Sequence, residues 1–208
     1  MIMAKLQLAL DFSDFKDALA VAKKAAPYVD WIEAGTPLIK SVGLHSVREL
    51  KKRFPKHKIV ADMKTMDTGA FELSLAAQAG ADVATVCAAA DDSTIKGAID
   101  EGRKREVIVV VDTINTLPSR WKQIDSFNPD YICLHVGIDQ QRNGIDPLEL
   151  LKKLDVKSKK IVAGGIDAKS APEAVKAGAE VIIVGGAITK AKDPARAAKE
   201  IKDAMEQF

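Results

Sequence analysis

Four acidic side chains stand where short apolar segments of this 208-residue chain come to an end. Asp11, Asp62 and Asp112 close or follow such segments, and Glu33 lies near the end of another. Aspartate is a poor strand residue, and a carboxylate beside apolar side chains costs desolvation free energy unless it is paired or ligated. Any one of these acids alone is most simply a helix cap or a loop residue. Four of them on one rim would instead form a site.

A divalent cation is the partner that these carboxylates predict. They carry four negative charges against one positive charge from Lys64, which lies two residues after Asp62. Carboxylates crowded together either take up protons or bind a cation. Oxygen ligands without a second histidine or a cysteine nearby favour a hard ion, so we expect Mg²⁺, with Mn²⁺ as the alternative. Mg²⁺ usually takes one or two protein carboxylates, which leaves the other acids for substrate hydroxyls or Lys64.

One of the three histidines has a position that suits proton transfer. His135 ends an apolar segment, whereas His45 and His57 lie among charged residues and are expected to be solvated. Taken alone, His135 could equally be a structural histidine. Beside a metal and a lysine, we expect it to act as a general acid or base, because the pKa of imidazole lies near neutral pH.

Two glycine pairs, Gly164-Gly165 and Gly185-Gly186, follow the last two apolar segments. Each pair alone could simply make a tight turn. Two pairs at neighbouring strand ends, each followed by a helix, predict a cradle of backbone N–H groups for phosphate. No arginine follows Gly185-Gly186, so we expect backbone amides to hold most of the phosphate.

Eight strands alternating with helices would position these residues. The predicted strands start about every 20–30 residues, as one strand and one crossover helix require, and cover 6–11, 29–34, 58–63, 82–86, 107–112, 130–135, 160–164 and 180–185. Several are apolar at nearly every position, which is typical of parallel strands buried on both faces. The first strand is followed by Asp11-Phe12-Ser13 without glycine, so a doubly wound dinucleotide-binding sheet is disfavoured.

Glycine pairs after the seventh and eighth strands match the usual phosphate site of a barrel. We therefore predict an α/β protein that forms one (β/α)8 TIM barrel over residues 1–208, with its site at the carboxyl ends of the strands. Helix signals fit the same pattern. Ser13 or Asp14 precedes a predicted helix over 15–26, and Gly80 and Gly178 follow helical segments.

Composition excludes several other classes of protein. Hydrophobic residues make up 47% of the chain, charged residues 29%, and the net charge is only +2, which argues against a nucleic-acid-binding surface. The apolar runs are far shorter than the roughly 18 residues that span a bilayer. Cys87 and Cys133 are too few for a disulfide framework or a zinc site. We expect a soluble, cytoplasmic protein without nucleic-acid or membrane partners.

Six segments resemble the 3-hexulose-6-phosphate synthase family of the orotidine 5′-monophosphate decarboxylase suprafamily: LALDF (8–12), VDWIEAGTPLIKSVG (29–43), IVADMKTMDTGAFE (59–72), HVGIDQQ (135–141), AGGID (163–167) and IVGGAI (183–188). The resemblance covers essentially the whole chain. Its most specific part is the run DMKTMDTGA from Asp62 to Ala70, which contains the suprafamily's Asp-x-Lys-x-x-Asp motif.

The resemblance implies a Mg²⁺-dependent lyase that interconverts D-arabino-hex-3-ulose 6-phosphate with ribulose 5-phosphate and formaldehyde through a metal-stabilised 1,2-enediolate. Glu33 and Asp62 look like the metal ligands, and Lys64 like the group that neutralises the enediolate. Asp11 would bind a substrate hydroxyl, and His135 would transfer protons beside the acidic position Asp112. Asp67 would reach the partner's site in a homodimer.

Two other functions stay open. 3-Keto-L-gulonate 6-phosphate decarboxylase uses the same acids and metal, but it usually has arginine where this chain has Ile138 and Gly186. The synthase is therefore favoured. A catalytically silent phosphosugar-binding barrel is disfavoured by the complete set of acids, Lys64 and His135. Cys87-Ala88 and Thr113 depart from the synthase pattern beside the expected pocket, where they would affect substrate fit rather than metal binding.

Overall fold

Eight parallel strands close into a barrel in a computed structural model that describes residues 4–206. Their order around the barrel is their order along the chain, and β1 pairs with both β2 and β8. The strands are β1 (Lys5–Leu10), β2 (Trp31–Ala34), β3 (Lys58–Thr65), β4 (Val83–Cys87), β5 (Ile108–Asp112), β6 (Tyr131–His135), β7 (Lys159–Ala163) and β8 (Val181–Val184). The predicted (β/α)8 barrel is confirmed.

Helices surround the barrel and connect each strand to the next. They are α1 (Phe15–Ala25), α2 (Thr36–Val42), α3 (His45–Arg53), α4 (Gly69–Gln78), α5 (Asp92–Arg105), α6 (Pro118–Asp125), α7 (Ile138–Gln141), α8 (Pro147–Lys152), α9 (Ala171–Lys176), α10 (Gly186–Thr189) and α11 (Pro194–Met205), with a 3₁₀ turn at Ala26–Tyr28. The Asp14 carboxylate caps α1 by accepting from the Lys16 and Asp17 amides. Gly80 and Gly178 have φ of +89° and +91°, as expected of glycines just after helix ends.

Side chains point alternately to the two faces of each strand, so the protein has an outer and an inner hydrophobic core. Leu6, Leu8 and Leu10 of β1 pack in the outer core between barrel and helices, whereas Gln7 and Ala9 face the barrel interior. The inner core is filled by buried residues from seven strands: Trp31, Val60, Val83, Val110, Cys133, Ile161, Ala163 and Val181. Towards the carboxyl ends of the strands, the inward positions become polar, and a cavity opens there.

Five predicted strands begin one or two residues later in the structure than in the sequence analysis, and an aspartate directly precedes three of them. Asp30, Asp82 and Asp130 stand just before β2, β4 and β6. Each carboxylate accepts a hydrogen bond of 2.8 Å from a backbone amide of the preceding strand, and the donors are Leu6, Ile59 and Val109. Because each aspartate ties its side chain to the neighbouring strand, the next strand starts at the residue after it.

Membrane insertion through helices has no support in the fold. Across residues 4–206, every helix is too short or too polar to cross a bilayer.

Candidate active site

A cavity of about 540 Å³ lies at the carboxyl ends of the strands. The structure brings ten of the eleven predicted site residues to its wall: Asp11, Glu33, Asp62, Lys64, Asp112, His135, Gly164, Gly165, Gly185 and Gly186. Asp67 is the exception. It is exposed in the turn between β3 and α4, where its Oδ1 accepts from the Thr68 amide at 2.7 Å.

The Asp62 carboxylate is held by three donors at the centre of the cavity. Its Oδ1 accepts from Thr85 Oγ1 at 2.8 Å, and its Oδ2 accepts from Thr36 Oγ1 and Lys64 Nζ, both at 2.6 Å. The β3–β4 register shifts between Ala61 and Thr65. Such an irregularity re-aims side chains within a strand, and here it accompanies a left-handed backbone at Lys64, with φ of +44°.

Lys64 lies between two carboxylates. Its ammonium is 2.6 Å from Asp62 Oδ2 and 3.2 Å from Asp112 Oδ2. Burial alone would lower the pKa of Lys64, but the charges of Asp62 and Asp112 outweigh burial and raise it above its ordinary value. The side chain therefore stays a cation and is a poor nucleophile.

Asp112 orients His135. The imidazole Nδ1 lies 2.8 Å from Asp112 Oδ2, and Asp112 Oδ1 accepts from the Ile114 amide at 2.9 Å. Burial opposes ionisation of Asp112, yet His135, Lys64 and these hydrogen bonds prevail and lower its pKa to about 2. An ionised Asp112 requires Nδ1 to be the donor, which leaves Nε2 of the imidazole free for proton transfer.

Glu33 and Asp11 are carboxyls whose ionisation the site opposes. Burial, followed by the charges of Asp62 and Asp11, raises the pKa of Glu33 well above its ordinary value. Burial and the charge of Asp62 likewise raise the pKa of Asp11. Within residues 4–206, the side chain that donates to Glu33 is Gln7, whose Nε2 lies 2.5 Å from Glu33 Oε2. Acids that oppose each other's ionisation around one cavity are a donor set that fits a cation.

The number of metal ligands is limited by the geometry. Within residues 4–206, no group of three or more His, Cys, Asp or Glu side chains is placed to hold a metal ion. Glu33 and Asp62, on the adjacent strands β2 and β3, line the same cavity. Two carboxylates suit Mg²⁺, which commonly keeps waters or substrate oxygens in its remaining positions.

The two glycine pairs differ in whether a larger residue could replace glycine. Gly164 has φ of +118°, and a Cβ there would lie 2.4 Å from the Val136 carbonyl oxygen, so no larger residue fits. Gly165 also has a left-handed backbone, with φ of +67°. A Cβ at Gly185 or Gly186 would instead meet nothing closer than 3.8 Å. The second pair therefore leaves open space at the cavity wall.

Comparison with known proteins assigns the family. The family model described as orotidine 5′-phosphate decarboxylase / HUMPS family matches residues 4–201. The chain belongs to this family. It is 41% identical to the 3-hexulose-6-phosphate synthase of Bacillus subtilis (strain 168), with 98% of this chain and 99% of the relative covered.

Solved structures agree with this assignment. A crystal structure of a 3-hexulose-6-phosphate synthase superposes with a TM-score of 0.92 at 43% identity, covering 96% of this chain and 99% of the other. The crystal structure of 3-keto-L-gulonate-6-phosphate decarboxylase from Vibrio cholerae has a TM-score of 0.88 at 29% identity, covering 99% of each chain. An enzymatic function on the synthase branch of the family follows from these relatives.

Four further side chains of this cavity were missed by sequence reasoning: Gln7, Thr36, Thr85 and Lys190. Gln7 is detectable as a polar residue inside the apolar run of β1. Lys190 follows Gly186 by one helical turn. Thr36 and Thr85 give no signal, because their contacts with Asp62 depend on strand register. His57, expected to be solvated, is half-buried, and its Nε2 lies 2.9 Å from the Ala26 carbonyl oxygen.

Proposed function

We propose that this chain catalyses the reversible aldol reaction of ribulose 5-phosphate with formaldehyde, giving D-arabino-hex-3-ulose 6-phosphate. The observation that carries the proposal is the position of Lys64, whose ammonium stands between Asp62 and Asp112 in a cavity that Glu33 and His135 also line. The names of the relatives give the hexulose phosphate, and the family resemblance implies ribulose 5-phosphate and formaldehyde. The cavity supplies groups for the chemistry that such substrates require.

The reaction begins with removal of a proton from C1 of ribulose 5-phosphate. We assign this proton to Nε2 of His135, because Asp112 holds Nδ1. The resulting 1,2-enediolate carries negative charge on two oxygens, and the Lys64 ammonium stabilises that charge. C1 then attacks the carbon of formaldehyde, forming the new C–C bond, and the new alkoxide takes a proton. Asp11 is placed to bind a substrate hydroxyl.

Mg²⁺ is the cofactor that we propose, with Mn²⁺ as the alternative. Glu33 and Asp62 would hold the ion, which when bound supplies Lewis-acid stabilisation of developing negative charge. The raised pKa of Glu33 supports this role, since a divalent cation beside it would favour the ionised carboxylate. Gln7 would keep Glu33 in place through one oxygen.

Covalent catalysis by Lys64 is disfavoured. A Schiff base needs a neutral amine, and the two carboxylates beside Lys64 keep it protonated. Borohydride added during turnover is therefore not expected to trap substrate on the protein, and trapping on Lys64 would contradict the mechanism.

We further propose that the enzyme acts as a homodimer in which Asp67 enters the partner's cavity. Asp67 lies outside the cavity of its own barrel, and the exposed apolar side chains Met66 and Phe71 stand close to it in sequence, 52% and 64% accessible. Such side chains beside a site residue fit a protein interface. A cytoplasmic location stays a prediction from the sequence.

The alternative function is decarboxylation of 3-keto-L-gulonate 6-phosphate. The Vibrio cholerae decarboxylase shares the fold at 29% identity. Ile138 lines the cavity here with 64% of its surface accessible, and the wall at Gly186 is open. Neither position offers the positive charge expected in the decarboxylase, which supports the synthase.

The deciding experiment assays both phosphosugars, with formaldehyde formation or consumption as one signal and CO₂ release as the other. We expect Mg²⁺-dependent formaldehyde turnover, its loss in EDTA, and a fall of more than about 100-fold in Asp62→Ala. Asp155→Ala, at an exposed acid outside the cavity, is the matched control. Full activity in EDTA or in Asp62→Ala would refute the metal role, and CO₂ release alone would favour the decarboxylase.

A further inference from the structure

Lys190 is a cation of the cavity wall without a carboxylate partner. Among the cavity-lining residues that the structure describes, Lys64 and Lys190 are the lysines, and no arginine is present. Lys64 is neutralised by Asp62 and Asp112. By contrast, no Asp or Glu between residues 4 and 206 lies within ion-pair distance of Lys190. A positive charge without a partner at a cavity is available to a ligand.

The helix geometry directs the Lys190 side chain across the second glycine pair. The Lys190 amide donates to the Gly186 carbonyl oxygen at 3.1 Å, so the two residues are one helical turn apart. Side chains on a helix lean towards its N-terminus. Accordingly, a Cβ at Gly186 would lie 3.8 Å from Lys190 Cδ and 3.9 Å from Cε. The lysine stem therefore passes beside Gly186, at ordinary van der Waals distance from the position of a Cβ.

The charges of the cavity determine where an anionic group can bind. Asp11, Glu33, Asp62 and Asp112 all belong to the part of the wall formed by β1, β2, β3 and β5. A phosphate placed among them would be repelled. The glycine side of the wall, at the ends of β7 and β8, contributes no acid of its own, and the acid that adjoins it is Asp11, whose Oδ2 would lie 3.8 Å from a Cβ at Gly185. Lys190 is the positive side chain on that side.

We propose that Lys190 binds the phosphate group of the substrate and fixes the sugar with its reactive end towards Lys64 and His135. This inference deepens the proposed function and rests on it for the identity of the phosphosugar. The ammonium would donate a hydrogen bond to a phosphate oxygen and also bring a full positive charge, which backbone amides do not carry. Lys190 is thus a substrate-binding residue, remote from the bond that forms.

The test compares Lys190→Met with Lys192→Met, which removes an exposed lysine two residues away and outside the cavity lining. We expect Lys190→Met to raise the KM for ribulose 5-phosphate about five- to tenfold. The KM for formaldehyde should stay close to that of the wild type, because formaldehyde has no phosphate. Lys190→Arg should have a KM for ribulose 5-phosphate close to that of the wild type. Competitive inhibition by inorganic phosphate should weaken in Lys190→Met by a similar factor.

The outcomes separate this inference from the proposed function. If the wild type turns over both substrates and Lys190→Met has the same KM and phosphate inhibition as Lys192→Met, Lys190 does not bind phosphate. If the wild type shows no aldol activity, calorimetric titration with inorganic phosphate still decides. Weaker binding by Lys190→Met than by Lys192→Met would support the phosphate role while the proposed function fails, and equal binding would refute both.

Discussion

Glu33 is a buried carboxyl whose ionisation lowers the stability of the folded protein. Its surface is only 5% accessible, it faces two other acids, and it has Gln7 as its hydrogen-bond donor. Its raised pKa means that the folded state keeps this proton to higher pH than the unfolded state does. Stability without metal therefore falls as pH rises above the ordinary carboxyl value of 4.5, and the loss is complete once pH exceeds the folded pKa.

Glu33→Gln should accordingly stabilise the metal-free protein at pH 8. The amide removes the buried charge, and its oxygen can still accept from Gln7. In EDTA we expect a higher Tm for Glu33→Gln than for the wild type, by about 2–4 °C for each kcal/mol regained, and a smaller difference at pH 5. Added Mg²⁺ should raise the Tm of the wild type but hardly that of the variant.

Thermal unfolding followed by circular dichroism measures these differences. Glu173→Gln, at an exposed acid of α9 outside the cavity, provides the control for losing one negative charge. A Glu33→Gln variant that is less stable than the wild type in EDTA at pH 8, or equally stabilised by Mg²⁺, would contradict the assignment of Glu33.

At the same scale, the sequence pointed to most of the charged side chains that line the cavity but not to the side chains that hold them. Asp62 and Lys64 are recognisable because a carboxylate and a lysine end an apolar strand. The threonines that hold Asp62 come from the start of α2 and from β4, more than 20 residues away in either direction. The pairing of strands in the closed barrel brings both threonines to Asp62. Serine and threonine are so common in strands and helices that these two give no signal in the sequence.

Among the elements, α4 and α5 pack unusually closely through glycine. A Cβ at Gly69, the first residue of α4, would lie 1.9 Å from the Thr94 carbonyl oxygen in α5. A Cβ at Gly97 in α5 would lie 3.6 Å from the Ala70 amide nitrogen, an ordinary contact. The same helix pair therefore contains one glycine that sterics require and one that they do not.

Alanine substitution at the two positions should have opposite effects. Gly69→Ala forces α4 away from α5 and should lower the free energy of unfolding by about 1–3 kcal/mol. Gly97→Ala fits and should leave stability unchanged or raise it by up to about 1 kcal/mol, because alanine favours the helix. Urea unfolding measures both. Equal destabilisation by the two variants would show that the helices do not approach as described.

The boundaries of strands and helices were predicted from the sequence more accurately than the contacts between them. The predicted helix over 15–26 ends at Ala25, and the Asp14 carboxylate caps it as its position suggested. The strand ends near the cavity were predicted within two residues, and an acid, a histidine or a glycine marks all of them except the end of β4 at Cys87. The approach of α4 to α5 could not be predicted, since glycine in a helix gives no indication of its neighbour.

Across the whole molecule, the two ends of the barrel use aspartate for different purposes. At the carboxyl end the acids face a cavity, whereas at the opposite end Asp30, Asp82 and Asp130 accept from backbone amides of neighbouring strands. Asp30 and Asp82 also pair with Lys202 and Lys51, but Asp130 has no ion pair within residues 4–206. A substitution at Asp130 therefore tests the loss of the backbone hydrogen bond without the loss of an ion pair.

Asp130→Ala should lower stability without changing catalysis. The Val109 amide would lose its acceptor, which costs about 1–3 kcal/mol when the donor is shielded from water. Asp130→Asn keeps an oxygen acceptor and should lose less. Urea unfolding combined with the KM and kcat of the aldol reaction checks the separation. A fall in kcat comparable to that of a cavity variant would mean that the two ends are not independent.

A homodimer in which Asp67 serves the partner's site can regain activity when two different inactive variants pair. A single barrel cannot. Co-expressed Asp67→Ala and Lys64→Ala chains, each inactive alone, would form mixed dimers. In a mixed dimer, the Asp67→Ala chain keeps its own Lys64 and receives Asp67 from its partner, so one of the two sites is complete. Random pairing should then restore about one quarter of the wild-type activity. Differently tagged chains allow the mixed dimer to be isolated and assayed directly. If Asp67 served its own barrel, every site in the mixture would lack one residue, and no activity would return.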